Sequence, residues 1–189
     1  NYSYSVSMYL IQKAVIQIKA IRAFFRLIKD PTNTPEVFVL VEAFSEDSIL
    51  DQVVAHLKKD PENRKIFSEK FKTESWNLED FKKYTPGTLG GTDFQFFQTR
   101  GFDPNFYPPY RVEEDRTYFR LRVSQTHDLW HMLTGFETDV RGEIGLQAFM
   151  LAQTTSPLSG LLIAIGLIHT VLNDRWGLSA LLESISTGW

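Results

Sequence analysis

Apolar residues recur along most of this chain at three- and four-residue intervals, the spacing that lines one side of a helix. From Met8 to Lys29 apolar residues fill most positions, with Lys13, Lys19, Arg22, Arg26 and Lys29 between them and no acid before Asp30. This predicts a helix with a basic side, ended by Asp30-Pro31. Such a helix either lies on an anionic membrane or packs with its basic side in solvent. Residues 35–58 read as one or two helices: Pro35 suits a first turn, Ser45-Glu46-Asp47 can restart the pattern, and Ile49, Leu50, Val53, Val54 and Leu57 keep helical spacing. Asp60-Pro61 opens a short helix through about Phe71, and Asn77 can cap another that includes Phe81.

Thr85-Pro86-Gly87 and Gly90-Gly91 mark a loop whose spacing fits no phosphate-binding fingerprint. Phe94, Phe97 and Phe102 follow as core residues. The stretch from Gly101 to Tyr110 holds three prolines and is irregular. Helix resumes at the acids Glu113-Glu114-Asp115 and runs through Leu133. Thr134-Gly135 ends it, and Asp139 caps the next helix near Val140, carried by Ile144, Leu146, Phe149, Met150 and Leu151. Pro157 starts a helix apolar nearly all round, ended by His169, which is expected to be buried against protein, lipid or a second subunit. A last helix spans about Leu178 to Ile185. Val37 to Val41 is the one run that tempts a strand reading. The pattern predicts an all-α, single-domain multi-helix bundle over residues 1–189.

The candidate chemistry sits at His127-Asp128-Leu129-Trp130-His131. Two of the chain's four histidines fall in this window. Imidazoles at i and i+4 point the same way from a helix, the arrangement by which helical metalloenzymes hold one divalent ion. Asp128 and Glu143 would add oxygen ligands. On an unbroken helix Glu143 would lie about 18 Å along the axis from His131, at roughly 1.5 Å per residue. The metal reading therefore needs the helix-loop-helix that Gly135 and Asp139 punctuate; otherwise the histidines simply pack. On the same helix Arg120, Ser124, His127, His131 and Thr134 fall on one face, so Arg120 is a candidate for an anionic headgroup. Gln147, one turn after Glu143, is a candidate to support a ligand. His56 and His169 are read as surface, capping or packed residues.

Composition narrows the classes. The 189 residues are 43% hydrophobic and 14% aromatic, with 15 Phe, enough for a filled core or a lined cavity. A net charge of −3 implies no sequence-independent grip on nucleic acid. The absence of cysteine excludes disulfides and thiolate chemistry. The uncharged run from Thr154 to Asn173 falls short of a spanning helix. Since the chain opens on Asn1, an initiator Met or a leader is expected before it; nothing resembling a secretory signal is visible.

His-Asp-x-x-His followed by Glu143 in Gly142-Glu143-Ile144 resembles the signature of a ubiquinone-biosynthesis family, the fourth member of the Coq series of coenzyme Q proteins. The stretch from Tyr118 through Phe149, with HDLWHMLTGF and RGEIGLQAF, is similar to that family. Pro86-Gly87-Thr88-Leu89-Gly90 resembles its Pro-x-Gly-x-Leu-Gly turn with a residue missing. Arg122 fits the family's Arg-rich run before the first His, whereas Ser124 stands where a second Arg is expected. The resemblance implies a mostly helical fold with a greasy cavity for a polyprenyl chain. It also implies a divalent metal, usually zinc, with iron or manganese as alternatives, on His127, Asp128, His131 and Glu143. Asp128 or Glu143 would be an acid/base if not a ligand, and Arg122 a second candidate for the headgroup.

Two functions follow. One is oxidative decarboxylation at C1 of a prenylated ring during ubiquinone synthesis. The other is a non-catalytic scaffold or carrier that binds the prenyl lipid for other quinone-biosynthesis enzymes. Implied partners are a prenylquinone intermediate, those enzymes, a membrane surface and a second copy of the chain. The implied location is the cytoplasm or an organellar matrix, peripheral to a membrane.

Overall fold

The computed structural model describes residues 2–44, 48–72, 77–107 and 111–189, and every regular element among them is helical. The helices are α1 (Tyr2–Lys29), α2 (Thr34–Ala43), α3 (Ser48–Leu57), α4 (Pro61–Glu69), α5 (Leu89–Arg100), α6 (Asp115–Thr134), α7 (Val140–Thr154), α8 (Pro157–Asn173) and α9 (Leu178–Gly188). A short 3-10 turn covers Leu78–Phe81. None is long and apolar enough to cross a membrane. The run Val37 to Val41 lies inside α2, where the helix started by Thr34-Pro35 overrides its β-branched residues. Ser45-Glu46-Asp47 and Pro108 to Tyr110 lie outside the described residues.

The chain divides into two compact units. The first comprises residues 1–53 and 137–189. In it, Ala23 and Leu27 of α1, Leu40 of α2 and Ile165 of α8 are almost fully buried and form one core, with Phe24, Val37 and Leu161 packed on it. Helix α7 packs on both α8 and α9. Ile144, Leu146, Ala148 and Met150 are all buried, so α7 is covered on more than one side. Helix α8 is not covered all round by this unit. It runs one turn beyond His169, and Ile168, Val171 and Leu172 near its end are exposed. The apolar sequence exceeds what its neighbours in this unit cover.

The second unit comprises residues 54–136. Its core joins Val54, Phe67 and Tyr118, the last two rings meeting edge-on at 5.8 Å. Asp60 caps α4 through the amides of Glu62 and Asn63, and Asn77 caps the 3-10 turn. Glu114 and Thr117 close a capping box at the start of α6. Asp115, in the first turn, binds Lys58 at 2.7 Å and Lys70 at 3.1 Å, which hold its carboxyl below the usual carboxylate range; the Lys58 hydrogen bond is the larger cause.

Gly90 and Gly91 are not loop residues. They form the first turn of α5, capped by the Thr88 hydroxyl at the Gly91 amide. A side chain at 91 would place its Cβ 2.2 Å from the Thr85 carbonyl oxygen. The glycines thus serve close backbone approach, so their sequence signal points to a turn while their role is helical. Phe97 is buried as expected, but Phe102 is 42% exposed.

Candidate metal centre

Helix α6 carries both histidines on one side. Its length follows from the capping box at Glu114 and from Gly135, whose φ of 75° lets the chain leave the helix in the left-handed conformation. The Gly135 turn brings the Phe136 carbonyl within 2.9 Å of His131 Nδ1. A carbonyl only accepts, so Nδ1 carries the proton and Nε2 keeps its lone pair. That Nε2 faces His127 Nε2 at 3.3 Å, the rings standing edge to face with centroids 4.9 Å apart. Two nitrogens each about 2.0–2.1 Å from one tetrahedral ion stand roughly 3.3 Å apart. The pair therefore fits the separation that such an ion requires. The carbonyl behind His131 fixes its tautomer and orientation as a supporting group does in metal sites.

Burial and aromatic neighbours restrict both rings. His131 is 2% exposed and stacks on Phe96 of α5 at 6.4 Å; His127 is half-buried, with Tyr107 edge-on at 6.2 Å. Asp93, also on α5, is 4% exposed. Burial, with the nearby charge of Asp128 as the second cause, raises its carboxyl to about 6. A carboxyl there exchanges its proton near neutral pH. Asp93, Phe96 and Tyr107 were not among the residues marked from the sequence. Reading Gly90-Gly91 as loop hid the α5 register, which puts Asp93 and Phe96 one turn apart on one face.

The other candidates have definite places. Ser124 and Thr134 give their hydroxyls to the carbonyls of Arg120 and Trp130 on their own helix. Arg122 donates to Gln125 at 3.3 Å, along α6. Arg120 is half-buried. In the first unit, Glu143 occupies the first turn of α7, which Asp139 caps by accepting from the Gly142 amide at 2.7 Å. A Cβ at Gly142 would lie 1.9 Å from the Glu137 carbonyl oxygen, so only glycine permits this helix start, and the start sets where Glu143 stands. Gln147 follows one turn later and is half-buried. His169 is packed: its Nδ1 donates to the Ile28 carbonyl at 2.8 Å.

His127 and His131, both in the second unit, form a pair of imidazole nitrogens able to hold a metal ion. Asp128 acts electrostatically on Asp93.

Comparison with known proteins adds the family. The chain is 27% identical over 166 residues to a protein of Komagataella phaffii named ubiquinone biosynthesis protein COQ4, mitochondrial; the match covers 85% of this chain and 54% of that protein. It is 27% identical to the Yarrowia lipolytica protein of the same name, covering 84% of this chain and 60% of that one. The chain thus spans little more than half the length of these curated relatives. A crystal structure of a Nostoc punctiforme protein assigned to ubiquinone biosynthesis is similar with a TM-score of 0.79 and 34% identity, over 91% of this chain and 82% of that one. The family described as coenzyme Q (ubiquinone) biosynthesis protein Coq4 matches residues 2–180, and the chain belongs to that family.

Proposed function

We propose that this chain is a metal-dependent protein of prenylquinone synthesis that acts on, or presents, the prenylated aromatic ring of a ubiquinone precursor. The observation that carries the reading is the His127–His131 pair, its nitrogens facing at ion-sharing distance while the Phe136 carbonyl fixes the tautomer. His127, His131 and Glu143 are the proposed ligands, with Gln147 supporting Glu143. Asp128 is proposed as a fourth ligand, through its carboxylate oxygen, or, with Asp93, as the acid/base group. When bound, a divalent ion such as zinc, iron or manganese polarises a carboxyl or phenolic oxygen and activates water or dioxygen.

The chain's own residues supply the rest. Phe96 and Tyr107 wall the histidines and limit water. Asp93, held near 6 by burial, accepts or returns a proton at its carboxyl oxygen. Arg120 and Arg122 of α6 are proposed to meet an anionic headgroup. In the catalytic version the ring carboxyl leaves as carbon dioxide and a hydroxyl takes its place at C1, a two-electron oxidation that balances with one dioxygen reduced to hydrogen peroxide and one water consumed.

A second reading, carriage of the lipid for other quinone-biosynthesis enzymes, is favoured by a groove of about 320 Å³ between α1 and α2, lined by Ile16, Ala20, Ile21 and Phe44 together with Lys13. Either activity is proposed to take place at a membrane surface, in the mitochondrial matrix for a eukaryotic host.

Native mass spectrometry with metal analysis, on protein purified without added metal, tests the site. A near-stoichiometric divalent ion in wild type, lost in His131→Ala, supports it. No ion after reloading with zinc, iron or manganese overturns it. Glu143→Gln separates the two versions: an enzyme loses turnover while keeping its lipid, whereas a carrier has no turnover to lose.

A further inference from the structure

Helix α1 is apolar on two sides. Ala23 and Leu27 lie in the core of the first unit. On the other side Ile11, Ile18 and Phe25 recur every seven residues with Ile21 beside them, and they are 60%, 51%, 64% and 59% exposed. Met8, Leu10 and Val15 widen that face and are exposed as well. Lys19, Arg22 and Lys29 are exposed along its flank, and no acidic residue occurs before Asp30. Arg26 is engaged by Glu36 of α2.

We infer that this outer face of α1 is a docking surface for an anionic lipid bilayer, with Ile11, Ile18, Ile21 and Phe25 entering the interface and Lys19, Arg22 and Lys29 reaching lipid phosphates. A broad apolar face flanked by cations alone is the pattern of a helix lying in the plane of the membrane surface. Lysine and arginine stems run along the apolar boundary while their heads meet phosphate. The helix is not apolar enough to cross, so it lies on the bilayer. A second copy of the chain fits poorly, because two such faces would set the same cations against one another with no acid to answer them. A single partner helix would need only a narrow seam, and this face is wider. The inference deepens the proposed work at a membrane surface and is independent of the metal site.

The test is co-sedimentation of the full chain with vesicles of phosphatidylcholine alone and of phosphatidylcholine with about one-third phosphatidylglycerol. Wild type should bind the anionic vesicles and lose binding as salt rises. Ile18→Asp with Phe25→Asp should weaken binding on the order of tenfold or more, and Lys19→Gln with Arg22→Gln and Lys29→Gln should do so at low salt. All these positions are exposed, so the melting temperature and the metal content should stay at wild-type values. Absence of metal from the wild-type protein would count against the metal reading and not against this one. Because the chain has no cysteine, Ile18→Cys carrying an environment-sensitive dye gives a second readout, a blue shift on anionic vesicles only. Wild-type protein left in the supernatant, equal binding by the variants, no dye shift, or a dimer that Ile18→Asp dissociates without vesicle binding would each overturn the inference.

Discussion

Two side-chain pairs in this protein, each built on a histidine, begin alike and end differently. On α6, His131 Nδ1 donates to the Phe136 carbonyl at 2.9 Å; on α8, His169 Nδ1 donates to the Ile28 carbonyl at 2.8 Å. Each also has a partner four residues away on its own helix. For His131 that partner is His127, whose Nε2 faces its own at 3.3 Å. For His169 it is Asn173, whose amide lies 3.3 Å from the same ring nitrogen that already serves Ile28 and 2.9 Å from the His169 carbonyl. The first arrangement leaves two lone-pair nitrogens convergent. The second returns its polar groups to backbone and fastens the end of α1 to α8. A histidine held by a carbonyl is therefore not evidence of a ligand; the convergent second donor makes the difference.

The largest expected effect separates the pairs outright. Metal analysis of purified protein should show near-complete loss of the divalent ion in His131→Ala and wild-type content in His169→Ala. Equal metal loss in both variants would erase the distinction. The next effect concerns the carboxylate partner. Gly142→Ala drives a Cβ into the Glu137 carbonyl oxygen, so the first turn of α7 must shift. We expect a loss of about 2 kcal/mol or more in urea unfolding together with weakened metal retention, since Glu143 follows directly in that turn. Unchanged stability would show that the turn relaxes without cost.

Much of the contrast was legible in advance because it depends on local order. The i, i+4 histidines, the glycine that ends α6 and the aspartate that caps α7 are all written in short windows, and the glycine and the aspartate occupy their expected capping roles. The surrounding wall was not legible. Asp93, Phe96 and Tyr107 come from distant segments, and a paired glycine that usually marks a turn concealed the start of α5. Burial of Asp93 depends on which helices cover it, a property of packing that periodicity does not encode. Helix α8 shows the same limit. Its apolar residues predict cover by protein, lipid or a second subunit, and Val171 and Leu172 are exposed within this chain, because hydrophobicity states a preference and the neighbours decide how much of it is met.

Two carboxylates, Asp93 on α5 and Asp30 just after α1, extend the comparison to pH. Asp30, exposed beside His169, is lowered first by the Thr32 hydroxyl and next by the Thr32 amide. Asp93 moves the other way, from 3.8 to about 6, through burial and then Asp128. For Asp93 the folded state binds its proton more tightly than the unfolded chain, so the site favours folding below about pH 4 and costs stability as pH rises through 6. In metal-free protein Asp93→Asn should therefore be more stable than wild type at pH 7–8, on the order of 2 kcal/mol, with the gain gone by about pH 4. Asp30 has the opposite sign: its contribution is present above the unfolded value and is lost as pH falls through its lowered one. Urea titrations of Asp93→Asn across this range decide the matter, and a pH-independent difference would show that burial of Asp93 does not control its proton.

The smallest effect tests the fastening role of the second pair. His169→Ala removes the donor to Ile28 and leaves a carbonyl at the end of α1 without that partner, which should cost about 1–2 kcal/mol. Asn173→Ala removes a bond to the helix's own backbone in an exposed position and should cost less, about 0.5 kcal/mol. If the double variant loses no more than His169→Ala alone, the amide acts only by steadying the ring. A full additive loss would instead make the two side chains independent ties. Because this measurement leaves the metal untouched, it reports on packing alone. A His169→Ala variant as stable as wild type would mean that the α1–α8 contact is carried by Leu27 and Ile165, with the hydrogen bond incidental.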